Sequence, residues 1–334
     1  MIPNHLRQGN VLIGRGGAAV RLMREIRFSI DRDWARAAHG VDGFGGALPV
    51  TNSWGGWPSA VGVAPYLVLR IVVSGVPDPI TGYLVNIQEL DHLLRRHAIP
   101  LAARRLSAEG VGLTGERLLQ GVWDALGVQL CMKRQNVKTS KRRNAETPTA
   151  EHKTADGIGG LEDDEAPSQD GVRQGWRLES LVLWITPYLS YAIVAGEPSM
   201  VELTQCFEFS ASHRLHVSSM SDEENQRVFG KCNNPNGHGH NYRVEVTVSG
   251  EVSGRTGRVA ALPAFEAAVK EHVIDRFDHK HLNADTTEFA ELNPSVENIA
   301  RAIWRLLEDK LLPVRLRRVR VWETAKTYAE YAGE

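Results

Sequence analysis

Three histidines carry the most pointed chemical signal in this sequence. His238 and His240 lie two residues apart and share parity with Tyr242, Val244 and Val246, so on a β-strand both imidazoles leave from the same face as that apolar row. His213 shares parity with Phe207 and Phe209 on a second strand. Three imidazoles from two strands, with no fourth protein ligand evident, form the pattern of a catalytic zinc that keeps a position open, whereas structural zinc sites close with four ligands. The donor set favours zinc and leaves other borderline metals open. Cys232 precedes the turn Asn233-Asn-Pro-Asn-Gly237, which can fold the thiol back toward His238 and His240. Near a metal and basic groups such a thiol serves as a base or nucleophile; the alternatives are a fourth ligand and an inert core thiol.

Two further features add to this. The pair Asp278-His279, within Asp-His-Lys-His-Leu-Asn283, has the makings of a unit that orients and polarises a thiol, although an exposed loop with solvated histidines reads the same way. Glu323 shares parity with Val319 and Val321, at the end of an apolar face. A carboxylate there is able to accept two parallel N–H donors from an amino-pyrimidinone edge, or simply to end the strand in water.

The elements that must position these groups read as α+β. Residues 242–249 alternate apolar and polar as a half-buried strand does, and Phe207 and Phe209 do the same before His213. From Ser295, a plausible N-cap after Pro294, the set Val296, Ile299, Ala300, Ile303, Leu306 and Leu307 follows helical spacing. Ala264 to Ile274 reads as another helix and Leu316 to Trp322 as a strand. The expectation is an antiparallel sheet with both helices on one face.

The same order occurs twice. Val73-Ser-Gly75 with Thr81-Gly82 is echoed by Val248-Ser-Gly250 with Thr256-Gly257, Gln120-Gly-Val-Trp123 by Arg301-Ala-Ile-Trp304, and Leu183-Trp-Ile-Thr186 by Val321-Trp-Glu-Thr324. The chain therefore reads as two copies of one unit, 1–197 and 198–334. A basic and then acidic stretch near 133–173, too poor in apolar residues to repay its ordering entropy, is expected to be a disordered insertion in the first copy. The first copy has Phe28-Ser-Ile-Asp-Arg32 and Asn52-Ser-Trp-Gly-Gly-Trp57 where the histidines would fall, and Ile185 where Glu323 would. It is expected to bind no zinc and to supply sheet edges and interface.

Across 334 residues, 39 basic and 40 acidic side chains nearly cancel, which gives no footprint for nucleic acid or an anionic membrane. No apolar run approaches the ~18 residues of a membrane span. Three cysteines, an odd number, suggest no disulfide framework and fit a cytoplasmic protein.

Phe209-Ser-Ala-Ser-His-Arg-Leu215, Ser221-Asp-Glu-Glu-Asn225, the run Phe229 to Tyr242 containing Cys-Asn-Asn-Pro-Asn-Gly-His-Gly-His240, Asp278-His-Lys-His-Leu282 and Ser295-Val-Glu-Asn298 together resemble the 6-pyruvoyltetrahydropterin synthase and 6-carboxytetrahydropterin synthase family. Five residues separate Cys232 from His238, as in the pyruvoyl branch; the carboxy branch typically has fewer. The resemblance implies tandem tunnelling-fold units, zinc on His213, His238 and His240, Cys232 as proton acceptor with Asp278 and His279 as its relay, Glu323 as pterin anchor, and Ser295 and Glu297 as further substrate contacts. Ser295-Val296 departs from the Thr or Thr-Thr that the family often has before Glu-Asn.

The implied reaction is a zinc-dependent lyase step on 7,8-dihydroneopterin triphosphate, with triphosphate elimination and no external redox cofactor. Lys231, Arg214 and Lys280 are candidates to hold the triphosphate. The alternatives are the carboxy reaction, which takes the same substrate, releases acetaldehyde and leads to deazapurines such as queuosine, and a non-catalytic pterin-binding or assembly protein. Tunnelling-fold units close their barrels as oligomers, so a homo-oligomer is expected, for instance a trimer of two-copy chains, with the Asp-His relay arriving from a neighbouring subunit.

Overall fold

In a computed structural model of the chain, residues 19–30, 65–128, 130 and 176–333 are described. The charged segment near 133–173, Asp31 and Arg32, Asn52 to Trp57 and Cys131 lie outside them. No helix among the described residues is long and apolar enough to cross a membrane.

The first half runs β1 (Val20–Ser29), β2 (Tyr66–Gly75), a helical run α1 made of Ile87–Leu93, a π turn at Leu94–Ala98 and Ile99–Glu109, then α2 (115–128), β3 (Trp176–Thr186) and β4 (Leu189–Val194). The second runs β5 (Met200–His213), α3 (Asp222–Phe229), β6 (His238–Glu251), the run α4 made of Leu262–Val269, a π turn at Lys270–Ile274 and Asp275–Phe277, then β7 (Lys280–His281), α5 (Val296–Leu307), β8 (Arg315–Thr324) and β9 (Thr327–Tyr331). The sheet is ordered β1-β2-β3-β4-β5-β6-β8-β9, every adjacent pair antiparallel, and β7 joins β5 in parallel. This is the α+β class read from the sequence.

Sequence pattern explains the layers. On β6, Tyr242, Val244, Val246 and Val248 are fully buried, as are Val319 and Val321 on β8, and they join one apolar core with residues of the two long helical segments of each half. Ser295 caps α5 by accepting from the Asn298 N–H, and Ile299, Ala300, Ile303 and Leu307 form the buried stripe of that helix. The segment expected to be helical from Ala264 to Ile274 starts at Leu262, with Pro in its first turn, and loosens into the π turn. On the opposite face of the sheet each half sets an arginine over a tryptophan: Arg70 over Trp184 at 4.5 Å and Arg243 over Trp322 at 4.7 Å.

The likeness of the halves extends to their irregularities. Register shifts fall at Val72/Val73 and at Thr247/Val248, and again at Trp184/Thr186 and at Trp322/Thr324. The loops after β2 and β6 close alike: Gly82 N–H donates to Asp78 O (2.8 Å) and Gly257 N–H to Ser253 O (2.7 Å). Both glycines are in the left-handed region, φ 71° and 68°. Bulges and positive-φ turns are specific devices, and here they recur at matched positions of the two halves.

The two loops differ in what covers them. Thr114 Oγ1 at the start of α2 donates to Gly257 O (2.5 Å), Arg117 Nη2 to Gly254 O (2.8 Å), and the Val259 N–H to Glu116 Oε1 (3.3 Å). A methyl at Gly257 would lie 2.4 Å from Arg117 Nε, whereas one at Gly82 meets nothing within 4 Å. Gly82→Ala is expected to cost about 1–2 kcal/mol from backbone conformation alone. Gly257→Ala costs about 1 kcal/mol more, because Arg117 must give up its bond to Gly254. Urea unfolding of both variants checks this, and equal losses would show that the Arg117 contact contributes nothing.

Candidate metal centre and active site

The pairing of β5 with β6 builds the centre. His213 stands directly opposite His238, and Ala211 opposite His240, so the three imidazoles converge on one side of a single strand pair. His213 Nε2 is 3.1 Å from His238 Nε2, and one ligand atom from each of the three rings lies within 4.8 Å of the others. Gly237, at φ 71°, ends the turn before His238. Any Cβ there would sit 2.9 Å from the His281 ring and 3.0 Å from His213 O, so glycine is required on two counts.

Protonation follows from the hydrogen bonds. His213 is fully buried and its Nδ1 lies 2.7 Å from Pro294 O. A carbonyl only accepts, so Nδ1 carries the proton and the Nε2 lone pair points into the cluster. Burial, ahead of the neighbouring imidazoles, pushes His213 down to about 4. Burial, followed by His240, lowers His238 as well. His240 Nε2 is buried without a hydrogen-bond partner. Three imidazoles with ligand atoms this close, the His240 Nε2 buried and unsatisfied, fit a bound metal ion; the fit to zinc rests on the all-imidazole donor set.

Glu323 extends from the end of β8 with Oε1 3.4 Å from His213 Nε2 and 3.5 Å from His240 Nε2. Parity placed it at the end of the apolar face, and the structure brings it onto the imidazoles. Between them and the core lies Tyr242, a residue whose role the alternation concealed by making it look like plain core. Its hydroxyl is 3.4 Å from His213 Nδ1, and its pKa is raised, first by burial, then by Glu323, then by Cys232. Cys232 lies in the segment between α3 and β6. It is half-buried and free, in the short helical turn Gly230–Asn233, and its carbonyl accepts from the Leu215 N–H at 2.9 Å.

Asparagines hold this loop. Asn225, fully buried, accepts from Val217 N–H and donates to the carbonyls of Val217, Met220 and Ser221. Asn233 accepts from the Arg214 guanidinium and pairs with the His216 ring, while Asn283 clasps the Arg214 backbone at both N–H and carbonyl. Arg214, a candidate for the triphosphate, is partly committed to this framework. Lys231 and Lys280 are exposed.

Asp278 and His279 form a pair, His279 Nδ1 to Asp278 Oδ2 at 2.8 Å, with Asp278 Oδ1 accepting from Ser210 N–H at 2.8 Å. The Ser210 N–H, ahead of His279, keeps the Asp278 carboxyl below its ordinary value. His279 has φ 57°, is held by donating its N–H to Ser210 O, and its side chain is 84% exposed in a groove lined by Ser210, Ser212 and Asn241. No hydrogen bond joins it to Cys232 of the same chain. Ser295 spends its hydroxyl on the helix cap, and Glu297 lies exposed in the first turn of α5.

The buried neutral His213 makes stability depend on pH when no metal is bound. An unfolded imidazole takes its proton near 6.5 and the native one only near 4, so the unfolded state holds more protons between these values. Stability is then present above pH 6.5 and falls on acidification toward pH 4, by up to ~3 kcal/mol. Urea midpoints between pH 7 and 4.5 in chelator check this. His213→Gln is expected to lose that part of the slope, and an unchanged slope would place its origin elsewhere.

Comparison with known proteins agrees with this geometry. Residues 202–334 match the family model described as 6-pyruvoyl tetrahydropterin synthase. The human 6-pyruvoyl tetrahydrobiopterin synthase is 45% identical over 140 residues, which is 42% of this chain and 96% of that protein. The Drosophila melanogaster protein of the same name is 44% identical over 132 residues, 39% of this chain and 79% of that one. A protein of Archaeoglobus fulgidus provisionally named 6-carboxy-5,6,7,8-tetrahydropterin synthase is 42% identical over 93 residues, 28% of this chain and 73% of that one. The solved 6-pyruvoyl tetrahydropterin synthase of Caenorhabditis elegans aligns with 38% identity and a TM-score of 0.39, covering 40% of this chain and 96% of that one. With its histidine cluster and its match to nearly the whole length of the human enzyme, the chain belongs to the 6-pyruvoyl tetrahydropterin synthase family.

Proposed function

We propose that the second half of the chain is a zinc-dependent lyase that converts 7,8-dihydroneopterin triphosphate to 6-pyruvoyltetrahydropterin with loss of triphosphate. The observation that carries this is the convergence of His213, His238 and His240 on one spot with the Glu323 carboxylate 3.4 Å from His213 Nε2. That set lies in a chain 45% identical to the human synthase over nearly all of the latter. The longer match to the pyruvoyl enzymes, together with the spacing of Cys232 from His238, favours this product over the carboxy one.

His213, His238 and His240 would hold the zinc, which when bound polarises the side-chain hydroxyls of the substrate. Cys232 takes a proton from the substrate carbon chain and returns it, moving the double bond as the triphosphate leaves. Glu323 accepts the two N–H donors of the pterin edge and fixes the ring against the cluster. Ser295 and Glu297 add contacts to the pterin from the start of α5.

Asp278 and His279 are the relay for the thiol, and in this reading they serve the Cys232 of another chain. Supporting this, His279 is exposed and bonded to Asp278 and Ser210, with no bond to its own Cys232. The need for a reduced thiol fits a cytoplasmic setting. The first half, 1–197, is read as a duplicated unit without the histidine triad, split from the second near Pro198.

Product analysis with dihydroneopterin triphosphate and zinc is expected to give the pyruvoyl product without acetaldehyde; acetaldehyde would assign the carboxy reaction. Cys232→Ala is expected to keep stoichiometric zinc and lose turnover, while His238→Ala loses both, as read by metal analysis beside the assay. Normal turnover in Cys232→Ala would remove it from the mechanism. Cys232→Ala and His279→Ala chains, each inactive, should regain turnover when unfolded and refolded together. No regain would put the relay within one chain.

A further inference from the structure

We propose that Arg214 is a positioning residue for the Cys232 thiol and not a ligand of the triphosphate: its side chain ties the turn that carries the thiol to the end of β5. This rests on the reading of Cys232 as the group that moves the proton.

Residues 214–216 follow the candidate ligand His213 directly, and they grip the peptide that leaves Cys232. The Leu215 N–H donates to Cys232 O at 2.9 Å, and Arg214 Nε donates to both Asn233 O and Asn233 Oδ1 at 3.2 Å. His216 Nδ1 lies 3.0 Å from the same Asn233 Oδ1. Asn233 is only 7% exposed, so its two oxygens depend on these donors rather than on water. Removing Arg214 leaves a buried carbonyl in need of a partner, and the turn shifts to find one.

The guanidinium reaches out from an anchored backbone. Asn283 Oδ1 accepts from the Arg214 N–H at 2.8 Å, and its Nδ2 donates to Arg214 O at 3.0 Å. Asn283 belongs to the helical turn Leu282–Asp285, directly after β7, which pairs with β5 at Ala211 and Ser212. The His279 N–H begins the same row by donating to Ser210 O. The segment that carries Asp278 and His279 is therefore laced to the chain from Ser210 to Arg214, and the Arg214 side chain passes this anchoring on to the Cys232 turn.

Two arms then place the thiol. One is covalent, the turn from Asn233 to Gly237 that leads into His238; the other is the hydrogen-bonded path from His213 through Arg214 to Asn233. A base has to sit within about 3 Å of the proton it takes, and a misplacement of about 1 Å costs on the order of 100-fold in rate. A guanidinium that grips a phosphate does so with a fork of parallel N–H donors, and here Nε, one prong of the side-on fork, is already spent on Asn233.

The test compares full-length Arg214→Gln, Arg214→Lys and Asn233→Ala in the presence of zinc. Arg214→Lys keeps the positive charge and removes the Nε donor, so the two readings of this residue part there. All three variants are expected to lower kcat by roughly 10-fold or more with KM near its original value. The double variant Arg214→Gln with Asn233→Ala should be no worse than the poorer single one, because both break the same contact. Iodoacetamide labelling without substrate, read by the masses of the cysteine peptides, should modify Cys232 several-fold faster in both Arg214 variants. Cys206 on β5 should keep its rate. A raised KM with kcat retained, restored by Arg214→Lys, would make Arg214 a triphosphate ligand and overturn the proposal. Unchanged labelling of Cys232, or equal acceleration at Cys206, would overturn it too. The labelling needs no turnover, so it judges the clamp separately from the role of Cys232 in the reaction.

Discussion

The register of β5 against β6 is the constraint on which the centre depends. It sets His213 opposite His238 and, two residues further along each strand, Ala211 opposite His240. Side-chain direction alternates with every residue, so a slip by one position would send one strand's imidazoles to the polar face and leave the other's alone. The pairing resists this because it is long and because Phe209, Tyr242, Val244 and Val246 must all stay in the core. Phe209 stacks on Tyr242 with ring centroids 5.0 Å apart directly beside the cluster, so the same packing that fixes the register also supports the ligands.

The cluster then works against itself until something occupies it. Three rings within contact distance cannot all take a proton in a buried site, and burial and mutual repulsion hold His213 and His238 in the neutral form. Pro294, far along the chain, uses its carbonyl to fix which nitrogen of His213 keeps the proton. A ligand ring is usually oriented from behind in this way, and the contact makes the loop before α5 part of the candidate metal centre as well as the start of a helix. One cap, Ser295, therefore serves both the helix and the position of that carbonyl.

Local periodicity revealed much of this. Alternation placed the three histidines on two strand faces and Glu323 at the end of a third, and the structure brings all four together because parity is a local property that the sheet preserves. Alternation also hid something: Tyr242 fits the apolar row so well that its hydroxyl, directed at His213, carries no separate signal. Pro294 O and the asparagine clasps at 225, 233 and 283 are long-range hydrogen bonds whose partners no spacing rule connects. Motif spacing is equally silent on direction at Asp278-His279. The pair forms as read, yet the left-handed backbone at His279 turns the ring outward.

The two halves show how one scaffold position takes different chemistry from its surroundings. Glu116 and Glu297 both sit just inside the start of a helix whose cap is Thr114 or Ser295. Glu116 is fully buried, burial pushes its pKa up, one oxygen receives the Val259 N–H and the other has no partner. Leaving a carboxylate oxygen unsatisfied in the interior costs about 1–3 kcal/mol, so the contact persists only because the surrounding junction is held by the β4–β5 pairing and by Arg117. A carboxylate used in this way is closed to any ligand. Glu297, with the same helix start, is open to solvent instead, so the two positions differ in which helix start has found a neighbour within the chain.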